Sequence, residues 1–198
     1  NSNCKDGKCK SIGLGIIGFS EKIQAIKPDL LLVLGDRYES FAAATAAMVH
    51  NVPIAHCHGG ETTEGAIDEA MRHSISKMAH LHFTSTELYR NRVIQLGEQP
   101  SRVFNVGALG IENINSFRPI SKEEIEKYLD FKLRKKNLIV TCHPETLETH
   151  ENRQLIDELL AAIDQFKEIG FIFTYSNADS GGKELNSIAE KYCNDNRN

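Results

Sequence analysis

The 198-residue sequence has no apolar run approaching the ~20 residues that a membrane-spanning helix needs. It has no excess of basic charge. The formal net charge is −4, so no whole-chain footprint for nucleic acid exists, and nucleic acid is not an expected partner. Its first ten residues, Asn1 to Lys10, contain no apolar core of a signal peptide. It also lacks a paired cysteine framework. Cys4, Cys9, Cys57, Cys142 and Cys193 are odd in number and irregular in spacing, which excludes a disulfide-stapled domain and fits a reducing cytoplasm. Cys4 and Cys9 have no second pair to complete a four-ligand zinc site. Internal repeats and low-complexity tracts are absent as well.

What is present describes an ordinary globular protein: 40% hydrophobic and 25% charged residues, enough for a real core and a solvated surface. Strand and helix patterns alternate. Strands are expected at Leu30 to Leu34, Val52 to His56, His80 to Thr84, Val103 to Val106, Asn137 to Thr141 and Phe171 to Thr174. Leu30 to Leu34 is continuously apolar, which predicts a strand buried on both faces. Helices are expected at Ile16 to Ile26, Tyr38 to His50, Asp68 to Ala79, Thr86 to Leu96, Ser121 to Tyr128, Glu151 to Phe166 and Lys183 to Tyr192. Ser121-Lys-Glu-Glu supplies a cap and N-terminal acids to one of them. Alternation with short connections predicts an α/β fold, with parallel, Rossmann-like sheets covered by helices.

Residues 116–136 are poor in strand signal and carry Arg118-Pro119 and a basic tract, so they are expected to link two α/β units, 1–115 and 137–198. The first unit opens on a helix and the second holds two strands. Both ends therefore look cut.

Several segments could carry chemistry. Gly13-Leu-Gly-Ile-Ile-Gly18 matches a dinucleotide-binding fingerprint, but that fingerprint needs a strand directly before it, and Cys4 to Ser11 is polar. Chance is the better account. Gly35-Asp36-Arg37 follows a strand. It reads either as an ion pair capping the next helix or as a catalytic carboxylate beside a phosphate-gripping guanidinium. His143 ends another strand before a proline, and Tyr175 to Lys183 forms a polar, glycine-containing loop that opens a helix, a common place for anions.

The richest stretch is His56 to Lys77. After a strand and two glycines, His56, His58, Glu61, Glu64, Asp68, Arg72 and His73 crowd together. Ligands of open α/β sheets bind just past the carboxyl ends of strands, so chemistry is expected here. His-x-His followed by Glu could instead hold a metal. Asp68/Arg72 and Glu69/His73 could be plain i,i+4 surface pairs.

Taken together, Gly35-Asp-Arg-Tyr-Glu, His56-Cys-His-Gly-Gly-Glu, Gly65-Ala-Ile-Asp-Glu-Ala-Met-Arg-His-Ser-Ile-Ser-Lys, Val93-Ile-Gln-Leu-Gly-Glu, Phe104-Asn-Val-Gly-Ala-Leu-Gly, His143-Pro-Glu-Thr and Ser176-Asn-Ala-Asp resemble the hydrolysing UDP-N-acetylglucosamine 2-epimerases. The nearest branch by these motifs is the NeuC type of sialic acid synthesis. The resemblance implies two Rossmann-like domains of the glycosyltransferase-B type, with substrate in the cleft between them. It also implies a chain about twice this length, so this sequence looks like a central fragment, and it is expected to be inactive by itself.

The implied reaction converts UDP-N-acetylglucosamine and water into UDP and N-acetylmannosamine, through elimination to a glycal and rehydration. Carried over by motif, Asp36 and Asp68 are acid/base candidates. Arg37 and His143 would meet the diphosphate, and Arg72 would orient Asp68 or the phosphate. Ser176, Asn177, Asp179 and Lys183 would line the second-domain side. Several branches place a glutamate where this sequence has His58, with Glu61 three residues on, so either residue could take that role. No cofactor and no metal are expected. The partners expected are a UDP-sugar substrate and further copies of the full-length chain, with no membrane.

The alternatives are a related UDP-2,4-diacetamido-trideoxyhexose 2-epimerase, a glycosyltransferase-B sugar transferase, or a nucleotide-sugar-binding fragment without turnover.

Overall fold

The computed structural model describes residues 5–63, 67–143, 152–176 and 181–196. The chain divides into two compact units, Asn1–Phe117 and Arg118–Asn198.

In the first unit, helix α1 (Lys5–Ile26) is followed by β1 (Leu31–Leu34), α2 (Tyr38–Val49), β2 (Ile54–Cys57) and α3 (Asp68–Met78). Strand β3 (Leu81–Thr84), α4 (Glu87–Gln95), a 3-10 turn (Pro100–Arg102), β4 (Val103–Asn105) and α5 (Leu109–Ser116) complete it. The four strands run parallel in the order β1-β2-β3-β4. Each crossover steps the same way, and right-handed crossovers then place α2, α3 and α4 on one face of the sheet.

That face holds the core: Val33 and Ile54 from the strands, Ala44, Ala46 and Ala47 from α2, and Ile75 from α3. Alanines keep α2 thin, so α1 can pack upon it. A methyl added at Gly15 would stand 3.1 Å from the Ala42 methyl, which makes this a close helix crossing.

Two expectations are corrected here. Leu30 to Leu34 is not buried on both faces. Val33 faces the core, whereas Leu32 and Leu34, pointing the other way, are 64% and 55% exposed. The crossover helices all lie on Val33's side, and no described residue screens Leu32 and Leu34 to the degree that Val33 is screened. The first helix also begins eleven residues earlier than expected, at Lys5. Gly13, Gly15 and Gly18 lie inside it, so no phosphate-binding turn forms there.

The second unit holds α6 (Lys122–Leu129), β5 (Lys136–Val140), α7 (Asn152–Ile163), β6 (Ile169–Phe173) and α8 (Gly182–Asp195). The two strands pair in parallel. Ile156, Leu160 and Ile163 of α7 meet Leu185 of α8 in its core. Helix α6 lies within 116–136, the stretch read as a linker, and it carries the cap that Ser121 promised. Ser121 Oγ accepts from the Glu124 amide while the Glu124 carboxylate accepts from the Ser121 amide, satisfying two helix-end donors.

Candidate active site

Three loops leave the carboxyl ends of β1, β2 and β3 side by side, and their side chains converge. Gly35 and Asp36 follow β1, His58 to Thr63 follow β2, and Ser85 follows β3.

Behind these loops sits His56, the next-to-last residue of β2 and fully buried. Its Nε2 lies 2.7 Å from the Gly35 carbonyl and its Nδ1 lies 3.1 Å from Ser76 Oγ. A carbonyl only accepts, so Nε2 carries the hydrogen and Nδ1 accepts from Ser76. Burial pushes the His56 pKa from 6.5 down to about 4, overriding the opposing bond to Gly35, and the ring is neutral at physiological pH. His56 therefore ties the β1 turn to β2 and α3. With both nitrogens committed, it is not a metal ligand, which removes one half of the His-x-His metal reading.

Two glycines then fit the loop against the helices. A methyl at Gly59 would stand 2.8 Å from Ser76 Oγ. Gly60 has φ +82, and a methyl there would stand 2.3 Å from the Tyr89 carbonyl of α4. Arg92, stacked over the Tyr89 ring at 5.6 Å, donates to the Gly60 carbonyl. The backbone that presents Glu61 is thereby held from both sides.

At the front of the site, Arg72 of α3 is the centre. Its side chain is 8% exposed. Nη2 donates to Asp36 Oδ2 and, at 3.5 Å, to Thr63 Oγ1. Nη1 donates to Glu61 Oε2 at 2.8 Å and to the His58 carbonyl at 3.2 Å. One guanidinium thus joins the β1 loop to the β2 loop, a geometry suited to its rigid fork of donors. Glu61 Oε1 also lies 2.8 Å from His58 Nδ1 and accepts from Ser85 Oγ at 2.7 Å. Burial alone would raise the Glu61 pKa. The bonds from Ser85 and His58, with the Arg72 charge, outweigh it and hold the carboxyl below the usual range.

The arrangement offers two half-buried carboxylates, an imidazole and a cation in one crevice. Ser85 also borders a cavity of about 650 Å³, lined by Thr86, Val106, Gly107, Leu109 and Glu112 at the ends of β3 and β4. That volume is within the range of small-molecule sites, ~300–1,000 Å³.

The model of the UDP-N-acetylglucosamine 2-epimerase family matches residues 2–197. The chain belongs to this family. It is 43% identical, over 95% of its length and 49% of the relative's, to the GDP/UDP-N,N'-diacetylbacillosamine 2-epimerase (hydrolyzing) of Campylobacter jejuni. It is 51% identical, over 83% of its length and 42% of the relative's, to polysialic acid biosynthesis protein P7 of Escherichia coli. The chain spans about half the length of the curated relatives it matches. Among solved structures it is similar to the UDP-N-acetylglucosamine 2-epimerase of Rickettsia bellii, at TM-score 0.72 and 27% identity over 92% of this chain and 50% of that one. The fold is therefore α/β with parallel, Rossmann-like sheets of the glycosyltransferase-B type, as expected from sequence.

Within this epimerase-family chain, the structure brings together Asp36, His58, Glu61 and Arg72. Arg72 turns to Asp36 and Glu61, where sequence alone had it orienting Asp68 or a phosphate. Asp68 opens α3 one helical turn before Arg72. Glu69 and His73 form the i,i+4 pair, at 3.7 Å. Arg37 occupies the N-cap position of α2 without a side-chain capping bond, and its guanidinium lies 5.6 Å from the centre of the Tyr38 ring.

In the second unit, His143 lies three residues beyond β5 and is exposed. The Ser176 hydroxyl reaches the Gly182 carbonyl at 3.0 Å and Asn186 Oδ1 at 2.9 Å, tying Ser176 to α8. Lys183 is exposed in the first turn of α8. Asn177 and Asp179 lie outside the described residues.

Sequence reading singled out His56 without its supporting role, and missed Ser85, Thr63 and Ser76. The strand-end rule that selected Gly35-Asp36 also selects Ser85. Nothing in the sequence marks Ser76.

Proposed function

We propose that this chain carries the acid/base half of a hydrolysing UDP-sugar 2-epimerase. Its reaction turns UDP-N-acetylglucosamine and water into UDP and N-acetylmannosamine, in the supply of sialic acid. The Arg72-centred network carries the reading: ionisable groups from the ends of β1 and β2 and from α3, joined by the Ser85 hydroxyl after β3 and held in fixed geometry beside a ligand-sized cavity.

The chemistry has two stages. Removal of the C2 proton sends its electron pair into a C1–C2 double bond, and the C1–oxygen pair departs with UDP. Water then bonds to C1 while a proton reaches C2 from the opposite face. This sequence needs bases that differ in position and a setting that tolerates developing negative charge. Asp36, Asp68 and the His58–Glu61 pair supply the proton carriers in this reading. Arg37 and His143 serve the departing diphosphate, and Ser176, Asn177, Asp179 and Lys183 serve the nucleotide side. No cofactor or metal takes part. The complete protein works in the cytoplasm as a homo-oligomer.

The polysialic acid relative supports the sialic acid setting. The diacetylbacillosamine relative, matched over more of the chain, supports a second reading, a UDP-2,4-diacetamido-trideoxyhexose as the substrate. Incubating the intact gene product with each UDP-sugar, then identifying the released sugar, tests both. UDP and a 2-epimerised sugar from either supports the epimerase, and the preferred substrate selects the reading. UDP release that requires an added acceptor would make the protein a transferase. Binding without UDP release would leave only a nucleotide-sugar-binding role.

A further inference from the structure

His58 stands just past β2 with φ +62, a left-handed conformation that non-glycine residues seldom adopt. Its amide donates to the Phe83 carbonyl at 2.8 Å, and its carbonyl accepts from Arg72. Backbone of this kind persists where the surroundings over-determine it, and it clusters at functional sites. The turn brings the His58 ring against Glu61, with Nδ1 2.8 Å from Oε1.

Glu61 is fully engaged. Oε1 meets His58 and Ser85, and Oε2 meets Arg72. A carboxylate so held accepts hydrogen bonds and is a poor proton donor. Since it only accepts, His58 Nδ1 carries the hydrogen, and the lone pair of the neutral ring lies on Nε2. Charged groups from three elements connect to this ring: Glu61 of the β2 loop meets its Nδ1, Arg72 of α3 meets Glu61, and Asp36 of the β1 loop meets Arg72. Two carboxylates against one guanidinium leave a negative surplus of one charge, which an imidazolium would neutralise.

We propose that His58 and Glu61 act as one acid/base unit, with His58 Nε2 as the proton-transfer atom and Glu61 as the positioning residue that fixes its tautomer. The proposal rests on the epimerase reading above. In the elimination, the Nε2 lone pair bonds the C2 proton. The C2–H pair becomes the C1–C2 double bond, and the C1–oxygen pair leaves with UDP. The ring becomes an imidazolium paired with Glu61, and its added proton passes to solvent after release of UDP.

The test uses the intact gene product with UDP-N-acetylglucosamine and the UDP-2,4-diacetamido sugar. Kinetics are compared for wild type, His58→Gln and Glu61→Gln, and nitrogen-15 NMR reads the His58 tautomer. His58→Gln is expected to lower kcat at least ~100-fold, the scale of general acid–base catalysis, with KM changed less than ~3-fold. Glu61→Gln, which can still accept a hydrogen bond, is expected to lower kcat ~10-fold and to shift His58 away from the pure Nδ1–H tautomer. A purely structural Glu61 would be rescued by glutamine, with kcat and tautomer both unchanged, and that result overturns the unit. Wild-type turnover retained in His58→Gln, or an Nε2–H tautomer in the wild type, also overturns it. No UDP release by the wild type refutes the epimerase reading itself and the unit with it.

Discussion

Replacing Arg72 separates a built network from a set of surface pairs. Arg72→Met keeps much of the side chain's length and removes its charge. The Arg72 side chain is 8% exposed, Asp36 17% and Glu61 25%. Removing one partner of a fully buried pair costs ~3–5 kcal/mol, because the other is left uncompensated. Asp36 and Glu61 keep some contact with water, and Glu61 keeps Ser85 and His58, so the expected loss is about 2–3 kcal/mol. Arg72→Lys should lose about half as much, since a single ammonium cannot span both carboxylates. Urea unfolding is read through amide exchange at Ile54 and Ala55 in β2, which reports the first unit separately from the second. A loss below ~1 kcal/mol in Arg72→Met, the level of exposed ion pairs, would refute the network.

His56 gives a pH dependence with a defined sign. The unfolded chain binds a proton at this ring near pH 6.5, while the folded chain refuses it until about pH 4. Its contribution is complete above the higher value and is lost as pH falls toward the lower one, by about 3 kcal/mol in all. Urea midpoints for the first unit that stay level between pH 7 and pH 4 would contradict this. Gly60→Ala combines a positive φ with a methyl 2.3 Å from the Tyr89 carbonyl, so it should destabilise the first unit by about 2 kcal/mol or more. It should also depress turnover by displacing Glu61, and wild-type stability and kcat together would show that the loop is loose.

The fold was legible wherever a local pattern determined the outcome. Ser121 and Glu124 announce a helix start that needs nothing beyond its own turn. The apolar runs of β1 to β6 announce strands, and their alternation with helices announces a parallel sheet. Helix α5 was not legible, because eight residues with an internal glycine and no side-chain cap carry too little signal. The early half of α1 was hidden by glycines that usually cost a helix ~1 kcal/mol each, yet Gly15 is what lets α1 approach α2. Leu32 and Leu34 misled because an apolar run says that a strand wants cover on both faces, not which face its own crossovers supply.

The gathering of charged side chains at the strand ends was legible in place and less so in pairing. Strand-end reasoning led to Asp36, His58, Glu61 and Arg72. It could not show that Arg72 turns to Asp36, thirty-six residues away, or that a left-handed turn at His58 folds its ring onto Glu61. Those are consequences of register between β1, β2 and β3.

Solvent isotope at C2 tests the central claim, proton transfer at a sugar carbon by this crevice. The intact gene product is given its UDP-sugar in heavy water, and the released sugar is examined by mass and by proton NMR. Elimination followed by rehydration places one solvent deuterium at C2 of the inverted product. An epimerised product that retains protium at C2 would contradict the account.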